Sequence, residues 1–177
     1  MPALQPIVYR QATASDASCI AALGIQVFLD TYATQGIRPA IAQEAFDAFS
    51  PDEFFNILTK PDVFMTVAEA DGHLVGFAQL AMNTGHHLIA HPRACELQRL
   101  YVQERFTGRG VGRGLLDAAE NCARLGGAAL LWATVWVGNP RALSFYPRQG
   151  YALMGSPSYT FQNETHENQL FGKVLSP

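Results

Sequence analysis

The pattern of apolar and polar positions predicts one strand and three helices in the first third of the chain. Ile7 to Gln11 alternates as a short strand does. The polar cluster at 13–16 supplies N-cap candidates for a helix whose apolar residues recur at helical spacing. Apolar positions 41, 45, 46 and 49 predict a second helix. Ser50-Pro51 marks the start of a third, because proline at the first helical position loses no hydrogen bond.

The middle of the chain has the pattern of strands. Val63 to Ala70 and Leu74 to Ala81 are strand-like runs separated by Asp71-Gly72, a dipeptide that favours a tight hairpin turn. A turn-rich stretch from Asn83 to Pro92 then precedes a strand from Cys95 to Val102. We expect the first two runs to pair antiparallel and the third to be central.

The last third predicts helices and strands in alternation. Val111 to Leu125 carries its apolar and small residues on one helical face, and Gly126-Gly127 supplies a left-handed stop. The nearly unbroken apolar run from Ala128 to Val137 is typical of a strand buried on both faces. Gly138-Asn139-Pro140 predicts the cap of another helix, and the final strands are predicted at 151–161 and 168–175. This order of elements predicts an α/β domain with a mixed sheet.

Composition and charge narrow the class of protein. A chain of 177 residues, 49% hydrophobic and 15% charged, predicts a single globular domain spanning 1–177. The net charge of −3 and the absence of any Lys/Arg run argue against a nucleic-acid partner. No apolar stretch is long enough to cross a bilayer, and residues 1–10 lack the apolar region of a signal peptide. We therefore expect no membrane partner and a cytoplasmic location.

Neither the cysteines nor the histidines predict a metal site. The three cysteines are odd in number and widely spaced, which predicts packing residues. His86, His87 and His91 share one loop, but no carboxylate or cysteine accompanies them at metal-ligand spacing. We place them in a polar loop, where one could shuttle protons.

The stretch from Glu96 to Gly114 carries the clearest chemical signal. Its predicted strand leads through a short loop into a helix whose first turn is rich in glycine. Free N–H groups at a helix start and the positive end of the helix dipole bind anions, and glycines let a phosphate approach the backbone. The spacing matches neither a P-loop nor the dinucleotide-binding fingerprint. The alternative interpretation is a flexible glycine turn before a helix.

Here the sequence resembles the GNAT superfamily of acetyltransferases. Residues 107–112 align with the family pattern Gln/Arg-x-x-Gly-x-Gly/Ala at the start of its third helix, with Thr107 in place of Gln/Arg. A second block, Asn139-Pro-Arg-Ala-Leu-Ser-Phe-Tyr146 followed by Gln149-Gly150-Tyr151, looks like the family's Asn-x-x-Ala-x-x-Phe-Tyr…Gly-Phe signature. The resemblance extends from residue 7 to residue 175 and is weakest between 38 and 60.

The resemblance implies a fold and a co-substrate. The implied fold is a single-domain α/β GNAT-like fold, with a mixed, mostly antiparallel sheet whose parallel central strands splay apart and are flanked by helices. Acetyl-CoA is the implied co-substrate, with no metal. Its pyrophosphate would lie on the glycine loop and its pantetheine arm along the strand before it. The implied cofactor-binding residues are Leu100, Tyr101, Val102, Thr107, Gly108, Arg109, Gly110, Val111, Gly112, Arg113, Gly114, Asn139, Phe145 and Tyr146.

Two residues are candidates for the proton transfers that amine acetylation needs. Tyr146 matches the family's tyrosine beside the CoA sulfur, where a phenol can donate a proton, or else it packs in the core. Pro147 directly after it predicts that the helix ends or kinks there. Glu96 is the candidate base acting through water, with its pKa raised by partial burial, or else a surface or ion-paired carboxylate beside Arg93 or Arg99.

The sequence predicts the class of acetyl acceptor less specifically than the co-substrate. The implied reaction is direct transfer to a primary amine of a polyamine-like or amino-acid-like small molecule, or of a peptide. Phe28 and Tyr32 are the candidate substrate-binding residues, because residues 28–32 and the closing segment resemble the polyamine N-acetyltransferase branch. An acidic residue expected near Asn168 is missing from that segment. A catalytically silent acyl-CoA-binding module and a nucleotide-phosphate binder are the alternatives, and a homodimer is compatible with the sequence.

Overall fold

The computed structural model describes residues 6–161 and 163–177. Its strands are β1 (Ile7–Gln11), β2 (Val63–Ala70), β3 (His73–Ala81), β4 (Ala94–Val102), β5 (Leu130–Trp136), β6 (Ala152–Gly155), β7 (Ser158–Phe161) and β8 (Glu164–Val174). Its helices are α1 (Ala17–Tyr32), α2 (Pro39–Ala48), α3 (Pro51–Leu58), α4 (Val111–Leu125) and α5 (Pro140–Arg148), with 3₁₀ turns at Ala14–Asp16 and Glu104–Phe106. The fold is α/β, as the sequence predicted.

The predicted start of the third helix is confirmed by its capping bond. The Ser50 hydroxyl accepts a hydrogen bond from the amide of Glu53 at 3.1 Å, and Pro51 opens α3. The predicted hairpin turn is also present, because Asp71 and Gly72 both have positive φ values, of 52° and 74°. A two-residue turn of this kind joins antiparallel neighbours, here β2 and β3.

The end of the chain differs from the prediction. A single strand over 151–161 is wrong, because β6 and β7 are separate strands with Ser156 and Pro157 between them. Proline has no N–H to donate to a ladder. The register of β6 against β8 also shifts between Leu153 and Gly155. The final strand begins four residues earlier than the predicted 168, at Glu164.

The chain divides into two compact units, Met1–Gln79 with Arg99–Ala119, and Leu80–Gln98 with Glu120–Pro177. In the first unit the strand order is β1-β2-β3-β4, and in the second it is β4-β5-β8-β6, with β7 also pairing with β8. β4 and β5 are parallel, whereas β5, β6 and β7 each pair antiparallel with β8. The mixed, mostly antiparallel sheet is thus confirmed, while the domain extent of 1–177 stays a prediction.

Each unit has its own apolar core. In the first, Phe49, Phe54 and Phe77 are buried together with α1 residues, and Gly24 leaves the space that the Phe49 ring fills. In the second, the buried cluster is Ile89, Ala94, Leu130, Trp132 and Leu170. The prediction of a strand buried on both faces is correct for 130–133 and for Val135, whereas Thr134 and Val137 of the predicted run are exposed.

Candidate active site

The loop before α4 has a backbone that requires glycine. Gly108 and Gly110 have positive φ values of 72° and 82°, a conformation that side chains other than glycine rarely adopt. A Cβ added at either position would have no heavy atom within 4 Å. Glycine is therefore required here by the backbone conformation, and open space remains above the loop.

The first turn of α4 leaves backbone donors without a helical partner. The carbonyl of Gly110 accepts the first intrahelical bond, from the amide of Gly114 at 3.0 Å. The amides of residues 111–113 precede that bond and have no carbonyl one turn back within the helix. With the open space above the glycines, these amides fit a pyrophosphate group.

The structure narrows the predicted pyrophosphate cradle at Gly114. The amide of Gly114 already donates to the Gly110 carbonyl. Position 114 requires glycine because the Tyr9 ring occupies the place that a Cβ would take. Thr107 is likewise engaged, because its hydroxyl donates to the Glu104 carbonyl at 2.8 Å and closes the 3₁₀ turn. The cradle therefore comprises the backbone of residues 108–113.

Two arginines add positive charge to the cradle. The Arg109 guanidinium lies 5.5 Å from the centroid of the Phe106 ring. Arg113 lies 3.8 Å from Asp117, and the two side chains are 71% and 65% exposed. Exposed ion pairs of this kind contribute little. Arg113 therefore remains available to an anion at the start of the helix.

The β4 backbone orients Leu100 and Val102, the two residues at the positions that would pair with the pantetheine arm. The amide of Gln103 donates to Val75 on β3 at 2.9 Å, and the Tyr101 carbonyl lies 2.8 Å from the position of a Gly76 Cβ on the same strand. Because backbone groups alternate along a strand, those of Leu100 and Val102 face the other edge. The parallel pairing of β4 with β5 comprises only the residues 94–96 and 130–132. This short pairing is consistent with the predicted splay.

The side chain of Tyr101, a predicted cofactor-binding residue, lies in the core. Its ring packs in the core of the first unit, with centroids 5.8 Å from Phe49 and 5.3 Å from Phe77. Its carbonyl faces β3, as just described. Alternation along β4 turns both the side chain and the carbonyl of this residue away from the free edge, and its contact with the cofactor stays a prediction.

In the second unit, Tyr146 is buried with 6% of its surface exposed. Its ring stacks on Phe171 at 5.8 Å and meets the edges of Tyr151 and Phe145 at 5.4 and 5.3 Å. Burial raises the pKa of its hydroxyl, so the group remains protonated at neutral pH. A phenol held in this state can donate a proton but cannot act as a base.

The helix does not end at Tyr146, contrary to the prediction from Pro147. It continues to Arg148 and closes by a Schellman motif, in which the Tyr146 carbonyl accepts from the Tyr151 amide and the Pro147 carbonyl from Gly150, both at 3.1 Å. Gly150 has the left-handed φ of 86° that this motif requires. Pro147 has no N–H to bond to the Leu143 carbonyl, and the helix continues for only one residue beyond it. The motif also brings the Tyr151 ring onto Tyr146.

A buried charge network, which the sequence did not predict, anchors Tyr151. Glu120 is 4% exposed and accepts hydrogen bonds from the Tyr151 hydroxyl at 3.0 Å and from Lys173 at 2.9 and 3.1 Å. Arg124 donates to its other carboxylate oxygen at 3.2 Å. A glutamate between Ala119 and Ala123 on an apolar helix face was the signal that could have indicated it.

Of the remaining candidates, Asn139 and Glu96 are both hydrogen-bonded. The Asn139 carboxamide caps α5 by accepting from the Ala142 amide at 3.1 Å. Glu96 is half-buried and accepts from Gln98 at 3.4 Å. Its Cα pairs with Trp132 in the parallel ladder, so both side chains project from the same face of the sheet.

The histidine loop packs beside Trp132. The His86 ring stacks on His87 at 4.4 Å and meets Trp132 edge-on at 5.1 Å. Burial, together with the nearby His87, lowers the pKa of His86, which is therefore neutral at pH 7. Among the residues that the structure describes, no group of three or more histidine, cysteine or carboxylate side chains could hold a metal.

The predicted acceptor residues belong to an aromatic cluster of the first unit. Phe28 lies 4.9 Å from Tyr32 and 5.4 Å from Phe49, and Tyr32 is 38% exposed. Arg99, considered in the sequence only as a partner for Glu96, lies over the Phe49 ring at 5.1 Å. Its Nη1 donates to the buried Gln79 side chain at 2.7 Å.

Comparison with known proteins identifies the family. The model of the acetyltransferase (GNAT) family matches residues 31–151. The chain is 30% identical over 135 residues to an uncharacterized N-acetyltransferase of Mycobacterium bovis, covering 73% of this chain and 81% of the relative. It is 23% identical to one from Lactobacillus delbrueckii subsp. lactis, covering 93% and 95% of the two chains.

A solved structure shows the same fold. The PaiA N-acetyltransferase of Thermoplasma acidophilum, solved in complex with coenzyme A, superposes with a TM-score of 0.77 at 21% identity, covering 96% of this chain and 99% of that one. Within the described residues, no helix is both long and apolar enough to span a membrane. The chain belongs to the GNAT acetyltransferase family and is an acetyl-CoA-dependent N-acetyltransferase.

Proposed function

We propose that the protein acetylates a primary amine of a small molecule by direct attack of the amine on the thioester. The observation that carries this proposal is the start of α4, where left-handed glycines and three free amides form a cradle for a pyrophosphate. When bound, acetyl-CoA supplies an acetyl group already activated as a thioester. The cytoplasmic location and the homodimer stay predictions from the sequence.

The first unit supplies the binding groups. The amides of residues 109–113 and the side chains of Arg109 and Arg113 would hold the pyrophosphate. The free backbone edge at Leu100 and Val102 would pair with the amides of the pantetheine arm. These assignments use backbone groups, which explains why Thr107 can replace the usual Gln or Arg.

The second unit supplies the candidate acid and base. Tyr146 would hold a proton at its hydroxyl for the departing sulfur, because burial keeps the phenol protonated. Phe171 and Tyr151 hold its ring in place. Glu96 would take the proton of the amine, directly or through water. It projects from the sheet face that carries Trp132 and the neutral His86.

Two variants test the proton-donor role of Tyr146 and the pyrophosphate cradle separately. We expect Tyr146→Phe to lower kcat about 10²-fold, since the ring and its packing remain while the proton donor is lost. Its acetyl-CoA affinity should stay unchanged. Gly112→Asp puts a negative charge among the free amides and should weaken acetyl-CoA binding by about tenfold or more. Calorimetric titration and release of the CoA thiol measure the two effects independently.

Either variant can contradict its assignment. Tyr146→Phe with wild-type turnover would move the acid role to water or to another group. Gly112→Asp with wild-type acetyl-CoA affinity would mean that the cradle is misassigned. A wild-type protein that binds acetyl-CoA but releases no thiol with any amine would be a silent acyl-CoA-binding module.

The role of Glu96 is tested by the pH dependence of the rate. Glu96→Gln keeps the shape of the side chain and removes its basicity. We expect the rate to fall most at low pH and to recover partly as the solution itself deprotonates the amine. A wild-type pH–rate profile would transfer the role to the histidines of the 86–91 loop or to ordered water. Glu53→Gln, at a helix start in the first unit, is the control.

A further inference from the structure

Arg99 is a half-buried cation without an acidic partner. Its guanidinium carbon lies 5.1 Å from the centroid of the Phe49 ring and 5.5 Å from that of Phe54. Its guanidinium donates to the Gln79 side chain at 2.7 Å and also hydrogen-bonds to the Tyr101 hydroxyl. Arg99 takes part in none of the ion pairs that the structure shows among the described residues. A charge removed from water in this way is normally paired.

The guanidinium still has donors to offer. An arginine carries five N–H groups, and the bonds to Gln79 and to the Tyr101 hydroxyl use two of them. In the described residues, no fully buried side-chain nitrogen or oxygen lacks a partner. The guanidinium nitrogens that remain unbonded therefore contact solvent. Their planar, forked arrangement matches a carboxylate or phosphonate, which can accept two of these bonds at once.

The surroundings of Arg99 link it to the predicted acceptor residues. Phe49, which lies under its guanidinium, also contacts Phe28 at 5.4 Å, and Phe28 contacts the partly exposed Tyr32 at 4.9 Å. Glu44 is near enough to Tyr101 for its charge to help raise the pKa of that hydroxyl, after the larger effects of burial and Tyr32. Glu44 thus lies in this region without pairing with the arginine.

We propose that Arg99 binds an oxyanion of the acetyl acceptor, so that the acceptor is a small amine that also carries a carboxylate or a phosphonate. This inference rests on the proposed function and narrows its acceptor. A polyamine would bring only further positive charge to an arginine that has no counter-ion, which disfavours it. The aromatic side chains beside Arg99 would contact the apolar part of the same molecule.

The test uses acceptors in matched pairs. Each amino acid is compared with its amide, and each aminoalkylphosphonate with the alkylamine of equal length, while spermidine serves as the polycation. We expect wild-type kcat/KM to favour the anionic member of a pair by about 10- to 100-fold, as a charge-assisted hydrogen bond of this kind would give. Arg99→Gln should remove the preference by raising KM for the anionic member only.

A second readout does not depend on catalysis. Calorimetry with a carboxylate or alkylphosphonate that lacks the amine should show binding to the wild type and a loss of at least tenfold in Arg99→Gln. Arg99→Lys keeps the charge without the fork and should recover only part of the selectivity. Lys60→Gln, which removes an exposed positive charge from the same unit, should keep the wild-type preference.

The outcomes distinguish this inference from the proposed function. If the enzyme prefers spermidine or the neutral amines, or if Arg99→Gln weakens both members of a pair equally, the inference is wrong while the acetyltransferase assignment stands. If no amine releases thiol from bound acetyl-CoA, the proposed function fails, and the anion titration still decides whether Arg99 binds an oxyanion.

Discussion

Arg10 and Arg99 are both half-buried arginines of the first unit, but their charges are satisfied in different ways. Arg10 donates to both carboxylate oxygens of Asp16 at 2.8 Å and to Glu69 at 2.6 Å. Arg99 instead contacts two ring faces, the Gln79 carboxamide and the Tyr101 hydroxyl, none of which is charged. Arg10 therefore ties β1 to its neighbours, whereas Arg99 retains donors for a ligand. The presence or absence of a carboxylate partner, and not the degree of burial, separates the two.

Glu120 extends the comparison to the second unit. Its carboxylate accepts hydrogen bonds from Lys173, Arg124 and the Tyr151 hydroxyl. All charges of this network are therefore paired within the protein. Its consequence for function is indirect, because Tyr151 packs against the ring of Tyr146. We interpret networks whose charges are paired within the protein as structural, and the Arg99 guanidinium, which retains donors for a ligand, as functional.

The largest loss in the free energy of unfolding is expected when Glu120 is replaced. Glu120→Gln leaves Lys173 and Arg124 without a counter-charge beside a buried site, and removal of one partner from a buried pair is strongly destabilising. We expect the free energy of unfolding to fall by about 3 kcal/mol, at the low end for such pairs because the two cations are partly exposed. Urea denaturation measures this loss.

The control lies on the same helix. Asp117 is 65% exposed and pairs with Arg113 at 3.8 Å, so Asp117→Asn should change the free energy of unfolding by less than about 0.5 kcal/mol. Equal losses in the two variants would show that the Glu120 network contributes no more than a surface ion pair.

A smaller loss in the free energy of unfolding is expected when Asp16 is replaced. This loss should depend on pH within a defined range. The hydrogen bonds from Arg10 lower the pKa of its carboxyl from 3.8 to about 2. A lowered carboxyl pKa gives stability that is complete above the unfolded-state value and is lost as the pH falls through the folded-state value. We expect Asp16→Asn to cost about 2 kcal/mol at neutral pH. Its difference from the wild type should shrink between about pH 4 and pH 2.

The smallest loss in the free energy of unfolding is expected at Arg99. Its pH dependence tests the difference between Arg99 and Arg10. Arg99→Gln should cost about 1 kcal/mol from lost ring contacts, with no change in that loss between about pH 4 and pH 2. Denaturation across this pH range compares the two variants, with exposed Asp62→Asn as the control. If the Arg99→Gln loss also disappears in acid, a carboxylate pairs with Arg99 in solution and the comparison with Arg10 is wrong.

Local rules of the sequence determined most of the elements and the cradle. Caps, turns and glycine positions act over four or five residues, so Ser50-Pro51, Asp71-Gly72 and the loop at 107–114 could be interpreted from the printed sequence alone. The bounds of α4 were predicted without error for the same reason. The break between β6 and β7 was missed, although Pro157 was a visible signal, because the apolar residues around it continue the strand pattern.

Only the tertiary structure decided which polar side chains have partners. Arg10, Arg99 and Glu120 are ordinary charged residues in the sequence, and their side-chain partners lie 4 to 59 positions away. The side-chain period of β4 turned Tyr101 into the core, and its neighbours Leu100 and Val102 present their backbone to the free edge. The sequence thus determined the cradle, because its geometry is local, while the candidate acceptor site depends on contacts that form only when distant strands and helices pack together.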